Sequence, residues 1–223
     1  MVLPSIRNTE YRYYYTNVQG FKILDNGVAE GKLYPIDTLI ELAYAIGADE
    51  IIAPDVYEDM KGTLKALERW MPFLGSFDTM IVLQCRTWKE FDTMFNEALT
   101  HGPASLGLPR VMCKYLGVTA RMAAAQKIRA VSDLPIHALG STRQIEEGRW
   151  LARQGIVRGI DTSAPVVNGL RDEDLDVMYD TRQDNYFELK LNTQARRNIE
   201  QFRSWCADPF DFPNEETSVG ELR

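Results

Sequence analysis

The feature that most constrains this chain is an alternation. Short apolar runs rich in β-branched residues recur with amphipathic stretches between them, the signature of β-α units laid around a parallel sheet. Seven runs read as strands: residues 11–16, 21–25, 50–55, 79–84, 110–114, 135–139 and 157–161. Between them, Leu39, Leu42, Ala43 and Ile46 keep an i, i+3, i+4, i+7 spacing, and Met60, Leu64, Leu67 and Met71 a similar one, so both segments read as helices with one buried face. Residues 88–99 read as a helix capped by Thr87, with Glu90 as the acidic partner three positions on. An alanine-rich helix at 119–130, one at 142–154 opened by Ser141 and ended by Gly155, and one at 194–205 complete the pattern.

Seven strands are one short of a closed eight-stranded barrel, and the eighth is placed at 186–191. The expected fold is therefore a compact TIM-type (β/α)8 barrel, with a doubly wound open sheet as the alternative. At 223 residues a single domain is expected over 1–208, followed by an acidic, flexible tail at 209–223. Hydrophobic residues make up 45% and charged residues 26%, the balance of a globular chain with a substantial core. No stretch has the apolar length of a membrane span and the N-terminus lacks the apolar centre of a signal peptide, so a cytoplasmic protein is expected. The net charge of −7 argues against strong non-specific attraction to nucleic acid but allows a local basic face. Cys85, Cys113 and Cys206 are widely spaced and odd in number, which indicates neither a disulfide framework nor a zinc knuckle.

In a parallel α/β barrel the active site is assembled where the strands end and the following loops begin. Four runs stay apolar until a polar residue at their exit: Asp25 in ILDNG, Asp55 in IIAPD, Gln84 in IVLQC and Asp161 in VRGID. Burying an unpaired carboxylate is expensive, so these side chains are expected to face a cleft or a dedicated partner. An Asp after a strand is often only a turn former, and Asp25-Asn26-Gly27 has the composition of a turn. Taken singly, each residue is evenly balanced between the two readings; four from successive strands favour a site.

The segment ILDNGVAEG resembles the ILDSGGFQ-type strand and turn of the tRNA-guanine transglycosylases and their relatives that place 7-deazaguanines in DNA. LPIHALGSTRQIEEGRWLARQGIVRGIDTSAPV is similar to the stretch in which that family has a strand, a helix over the barrel, and a strand whose Asp begins a turn. The likeness runs from about Phe21 to about Val166. It implies base exchange, with Asp161 as the nucleophile that attacks the anomeric carbon and Asp25 as the general acid/base. It further implies Asp55 and Gln84 as readers of the base, and Gly117, near the end of the 110–114 run, as a place where backbone approaches it. Two carboxylates suit this chemistry because displacement at an anomeric centre passes through an oxocarbenium-like state that one stabilises while the other handles the proton.

The family's tRNA enzymes carry a zinc site of three cysteines and a histidine that has no equivalent here, so no metal and no other cofactor is expected. His137, inside the apolar run PIHAL, reads as a satisfied core or strand-end histidine. The short chain is closer to compact phage-type 7-deazaguanine DNA transglycosylases. The implied partners are DNA, with tRNA as the alternative, and a 7-deazaguanine base such as preQ0 or a derivative; a homodimer is left open. Candidate phosphate contacts are Arg143, Arg196 and Arg197, with Arg149, Arg153, Arg158, Arg171, Arg182 and Lys190 behind them, each weighed against a solvated, ion-paired helix face. A tRNA enzyme or nucleoside base-exchange enzyme is the nearest alternative function, and a non-catalytic barrel subunit that binds a partner is the second.

Overall fold

A computed structural model of the chain describes residues 9–31, 34–140, 145–175 and 190–207. These fall into two compact units, one within Met1–Thr142 and Ile156–Thr162, the other within Arg143–Gly155 and Ser163–Arg223.

The first unit holds a sheet of six parallel strands among the described residues: β1 (Ile23–Leu24), β2 (Glu50–Ile52), β3 (Asp78–Val82), β4 (Ser105–Pro109), β5 (Ile136–Leu139) and β6 (Gly159–Ile160). Their spatial order is their chain order. A doubly wound sheet must reverse its order at a switch point; this one never does, so the open-sheet alternative is set aside and the fold is an α/β fold whose sheet curls as a half-barrel.

The period of two along a strand divides the side chains into two sets. Ile23, Ile52, Met80 and Val82 cluster on one face with Leu139 against them. The intervening Leu24, Ile51, Ile81, Leu106, Leu108, Ile136 and Ala138 are buried as well. Burial on both faces is why the runs read as continuously apolar rather than alternating.

The helices of this unit are α1 (Thr9–Asn17), α2 (Ile36–Ile46), α3 (Met60–Trp70), α4 (Trp88–Thr100), α5 (Val111–Leu116) and α6 (Ala120–Arg129). Helix α2 buries Ile36, Leu39, Ala43 and Ile46, the stripe its spacing predicts. Helix α4 is capped as expected, Thr87 Oγ1 accepting the Glu90 N–H at 3.1 Å. The Glu90 carboxylate reaches back one residue further than a capping box requires, accepting the Arg86 N–H at 2.7 Å.

Two strand expectations fail. Residues 11–16 lie in α1, where Tyr13 is 72% and Tyr14 59% exposed, so those two tyrosines line no buried sheet face. Residues 110–114 lie mostly in α5, whose Val111 and Met112 are its buried face, and the true strand β4 is the preceding segment SLGLP. Of the proposed eighth strand, residues 186–189 lie outside the described residues, as does the tail at 209–223; Lys190 and Leu191 belong to no regular element.

The second unit contains α7 (Ile145–Gln154), α8 (Ala164–Leu170) and α9 (Thr193–Ala207). Buried Asn198 of α9 donates to the Glu173 carbonyl at 2.9 Å and the Pro165 carbonyl at 3.4 Å, and Asn192 donates to the Gly169 carbonyl at 2.6 Å. Side-chain amides thus satisfy backbone oxygens at the ends of α8. No helix among the described residues is long and apolar enough to cross a membrane.

Candidate functional site

The polar residues at the strand exits of the first unit form a connected structure. Asn26, just past β1, donates from Nδ2 to the Ala53 carbonyl at 2.9 Å and to Asp55 Oδ1 at 2.6 Å. Gln84, just past β3, donates from Nε2 to Asp55 Oδ2 at 2.6 Å. Its Oε1 accepts the Glu58 N–H at 3.2 Å. The Glu58 carboxylate accepts from Lys114 Nζ at 2.8 Å and from the Tyr115 hydroxyl at 2.5 Å, with the Arg86 guanidinium 3.6 Å away. The run crosses the exits of three adjacent strands and reaches α5, which follows the fourth. Both Arg86 and Lys114 lie over the Tyr115 ring, at 5.3 and 4.8 Å from its centroid.

Burial and hydrogen bonding pull the electrostatics of this row in opposite directions. Desolvation pushes the Asp55 carboxyl above its ordinary value, opposed by the hydrogen bonds from Gln84 and Asn26. Glu58 moves the other way, held below the ordinary carboxylate value by the hydrogen bonds from Lys114 and then Tyr115. The Cys85 thiol next to Gln84 is pushed up to about 12, mainly by burial and then by the Glu90 charge, so it is no thiolate nucleophile at neutral pH.

The two catalytic candidates stand past the two edge strands of the sheet. Asp25 follows β1, is buried, and accepts the Gly27 N–H on Oδ1 at 2.9 Å, so the turn reading and the strand-exit reading both hold. Asp161 follows β6, its side chain partly exposed; its Oδ1 accepts the Gly140 N–H at 3.0 Å and lies 3.3 Å from His137 Nε2. Asp55 and Gln84 are brought into direct contact, so each already uses polar atoms on the other.

Gly117 does not follow a strand. It ends α5 with φ of 96°, a backbone state that favours glycine, and open space surrounds the place of its missing Cβ. Arg196 and Arg197 are exposed on α9 of the second unit, Arg197 donating to Gln194 Oε1 at 3.3 Å. Arg143 lies outside the described residues. Arg158 is drawn to the opposite end of the strands, where it meets Glu50 at 2.5 Å.

Several residues escaped the sequence reading. Arg121 of α6 is 1% exposed and donates to the carbonyls of Leu139 at 2.8 Å and Gly140 at 3.1 Å, tying the helix to the exit of β5. Its signal was there: Arg121 keeps the i, i+3, i+4, i+7 spacing with Ala124, Ala125 and Ile128, all buried. Nothing local marked Glu58, Lys114 and Tyr115, which meet across 56 and 57 positions of chain. Among the described residues no group of three His, Cys, Asp or Glu is disposed to hold a metal ion. No protein-family model matches the chain, and no curated protein is significantly similar to it.

Proposed function

We propose that the chain is a guanine transglycosylase that exchanges guanine for a 7-deazaguanine base in DNA, using Asp161 as nucleophile and Asp25 as proton carrier. One observation carries the reading: the exits of the two edge strands each bear an aspartate, and the row Asn26, Asp55 and Gln84 crosses the exits of β1, β2 and β3. In this reading the six strands are the first six of a (β/α)8 barrel.

In the first step the Asp161 carboxylate bonds to the anomeric carbon as the carbon–nitrogen bond to guanine breaks, the electron pair leaving with the base. Asp25 supplies the proton that neutralises the departing base. In the second step the carboxylate of Asp25 takes the ring N–H proton of the 7-deazaguanine, whose nitrogen displaces Asp161 and restores it. Asp55 and Gln84 face the base edge, one offering carboxylate lone pairs to its N–H groups and the other an amide. The amides of Asn26 and Gln84 fix the Asp55 carboxylate, so the reader is ordered before the base arrives.

The test supplies DNA or tRNA carrying labelled guanine together with a 7-deazaguanine base and measures label release. Release from DNA is expected, and its absence from both polymers sinks the reading. Asp161→Asn should lower release by at least about a thousandfold and abolish the covalent adduct; an adduct formed normally by that variant refutes the nucleophilic role.

A further inference from the structure

His137 is the buried polar residue that the exchange scheme leaves unused. It is 7% exposed on β5, and its Nε2 has no hydrogen-bond partner among the described residues although Asp161 Oδ1 is 3.3 Å away. The distance permits a bond; the ring orientation does not complete it. An orphaned buried nitrogen is costly and uncommon in a folded core, so its presence beside a carboxylate asks for a reason.

The ring is held by what surrounds it. Its register partners are glycines on both sides, Gly107 of β4 and Gly159 of β6. A Cβ on Gly159 would stand 3.0 Å from Nδ1 and 3.1 Å from Cε1, so the ring rests on bare β6 backbone. Two residues after Gly159, just past the end of β6, comes Asp161, on the same side if the strand's alternation continues one residue further. Arg158, which precedes Gly159, has its guanidinium on Glu50, and Arg121 donates to the Leu139 and Gly140 carbonyls at the exit of β5; the carboxylate that approaches the ring is Asp161. Both contacts to the Asp161 carboxylate, from Gly140 N–H and from His137, fall on the same oxygen, Oδ1.

We infer that His137 is a positioning residue for Asp161: its Nε2–H and the Gly140 N–H hold Oδ1, leaving Oδ2 as the atom that bonds the anomeric carbon. The assignment rests on the transglycosylase reading. It also sets which step depends on His137. When Oδ2 forms its bond the carboxylate becomes a neutral ester, and donors at Oδ1 interact with it more weakly than with the charged group. They therefore favour the second step, in which the C–Oδ2 bond breaks, its electron pair returns to Asp161, and the incoming nitrogen takes the carbon. Histidine in its Nε2-protonated form supplies this hydrogen bond after a small turn of the ring.

The experiment measures steady-state exchange and the amount of DNA covalently held after denaturation, using guanine-labelled DNA and a 7-deazaguanine base with the whole chain. His137→Leu should lower kcat by about tenfold to a hundredfold with KM little changed, and the covalent adduct should accumulate. His137→Gln, which restores an N–H donor, should recover most of the rate. Gly159→Ala removes no functional group but displaces the ring, and should reproduce the leucine phenotype. If His137→Leu does not fold, the glutamine and Gly159 variants still decide. Wild-type exchange matched by all three variants overturns the role of His137 alone, as does a rate loss without adduct accumulation or glutamine rescue. Absence of exchange in the wild type overturns the underlying reading instead.

Discussion

The two ends of the same six strands carry polar networks of opposite kinds. At the N-terminal end, Glu50 is fully buried; it accepts from the Ser105 hydroxyl on one oxygen and from Arg158 at 2.5 Å on the other, and Phe21 lies under the guanidinium at 5.0 Å. These residues begin β2, begin β4 and precede β6, so alternate strands contribute to one layer at this end of the sheet. The network is closed on itself. At the C-terminal end, the row from Asn26 to Lys114 runs outward and holds two carboxylates shifted in opposite directions, Asp55 raised by burial and Glu58 lowered by its hydrogen bonds. Buried charge alone therefore does not mark a site; opposed shifts at strand exits are what make this row a candidate.

Three substitutions test that distinction. The largest effect is expected from Arg158→Leu, which strands the buried Glu50 carboxylate and should cost about 3–5 kcal/mol in urea unfolding. Exchange per folded molecule should be unchanged, and a selective loss of activity would erase the contrast between the ends. Gln84→Leu comes next, leaving Asp55 Oδ2 and the Glu58 N–H without their present partner. It should cost about 1–3 kcal/mol and lower kcat/KM at least about tenfold, a ratio of functional to structural damage that Arg158→Leu should not show.

Glu58→Gln gives the smallest effect, read in the pH dependence of the urea midpoint. The folded-state value of Glu58 lies below its ordinary 4.5, so its contribution is present above that pH and is lost as pH falls through the folded value. Asp55 works the other way: raised above its ordinary 3.8, it withdraws stability as pH rises through that region. The variant should therefore lose less stability than wild type on acidification below pH 4.5. Equal acid sensitivity would place the Glu58 cluster among inert surface pairs.

The sheet was legible wherever strands bury both faces, because runs such as IIAPD and IVLQC leave little room for another reading. It was hidden at β4, where Gly107 and Pro109 suppress strand propensity. Gly107 is there for packing: a Cβ would come within 2.8 Å of the Leu139 side chain and 3.2 Å of the Met80 sulfur. The tyrosine run at 11–16 misled for the reverse reason, since aromatics favour strands only where a sheet face receives them. Asp25, Asp55, Gln84 and Asp161 were visible as polar breaks in apolar runs. Glu58, Lys114 and Tyr115 were not, because no local pattern encodes a meeting of loops distant in the chain. His137 was read as buried, as it is, but its missing hydrogen bond belongs to geometry rather than composition.

The Glu50–Arg158 contact joins positions 108 residues apart, while neighbouring strands pair across 22 to 30. A chain emerging from the ribosome can thus lay β1 to β5 side by side while Glu50 still lacks its cation. That carboxylate can be sealed away from water only when β6 docks and brings Arg158 with it. The strand that Asp161 follows therefore also supplies the cation that completes the network at the other end of the sheet, so that network and the placing of the candidate nucleophile depend on one strand.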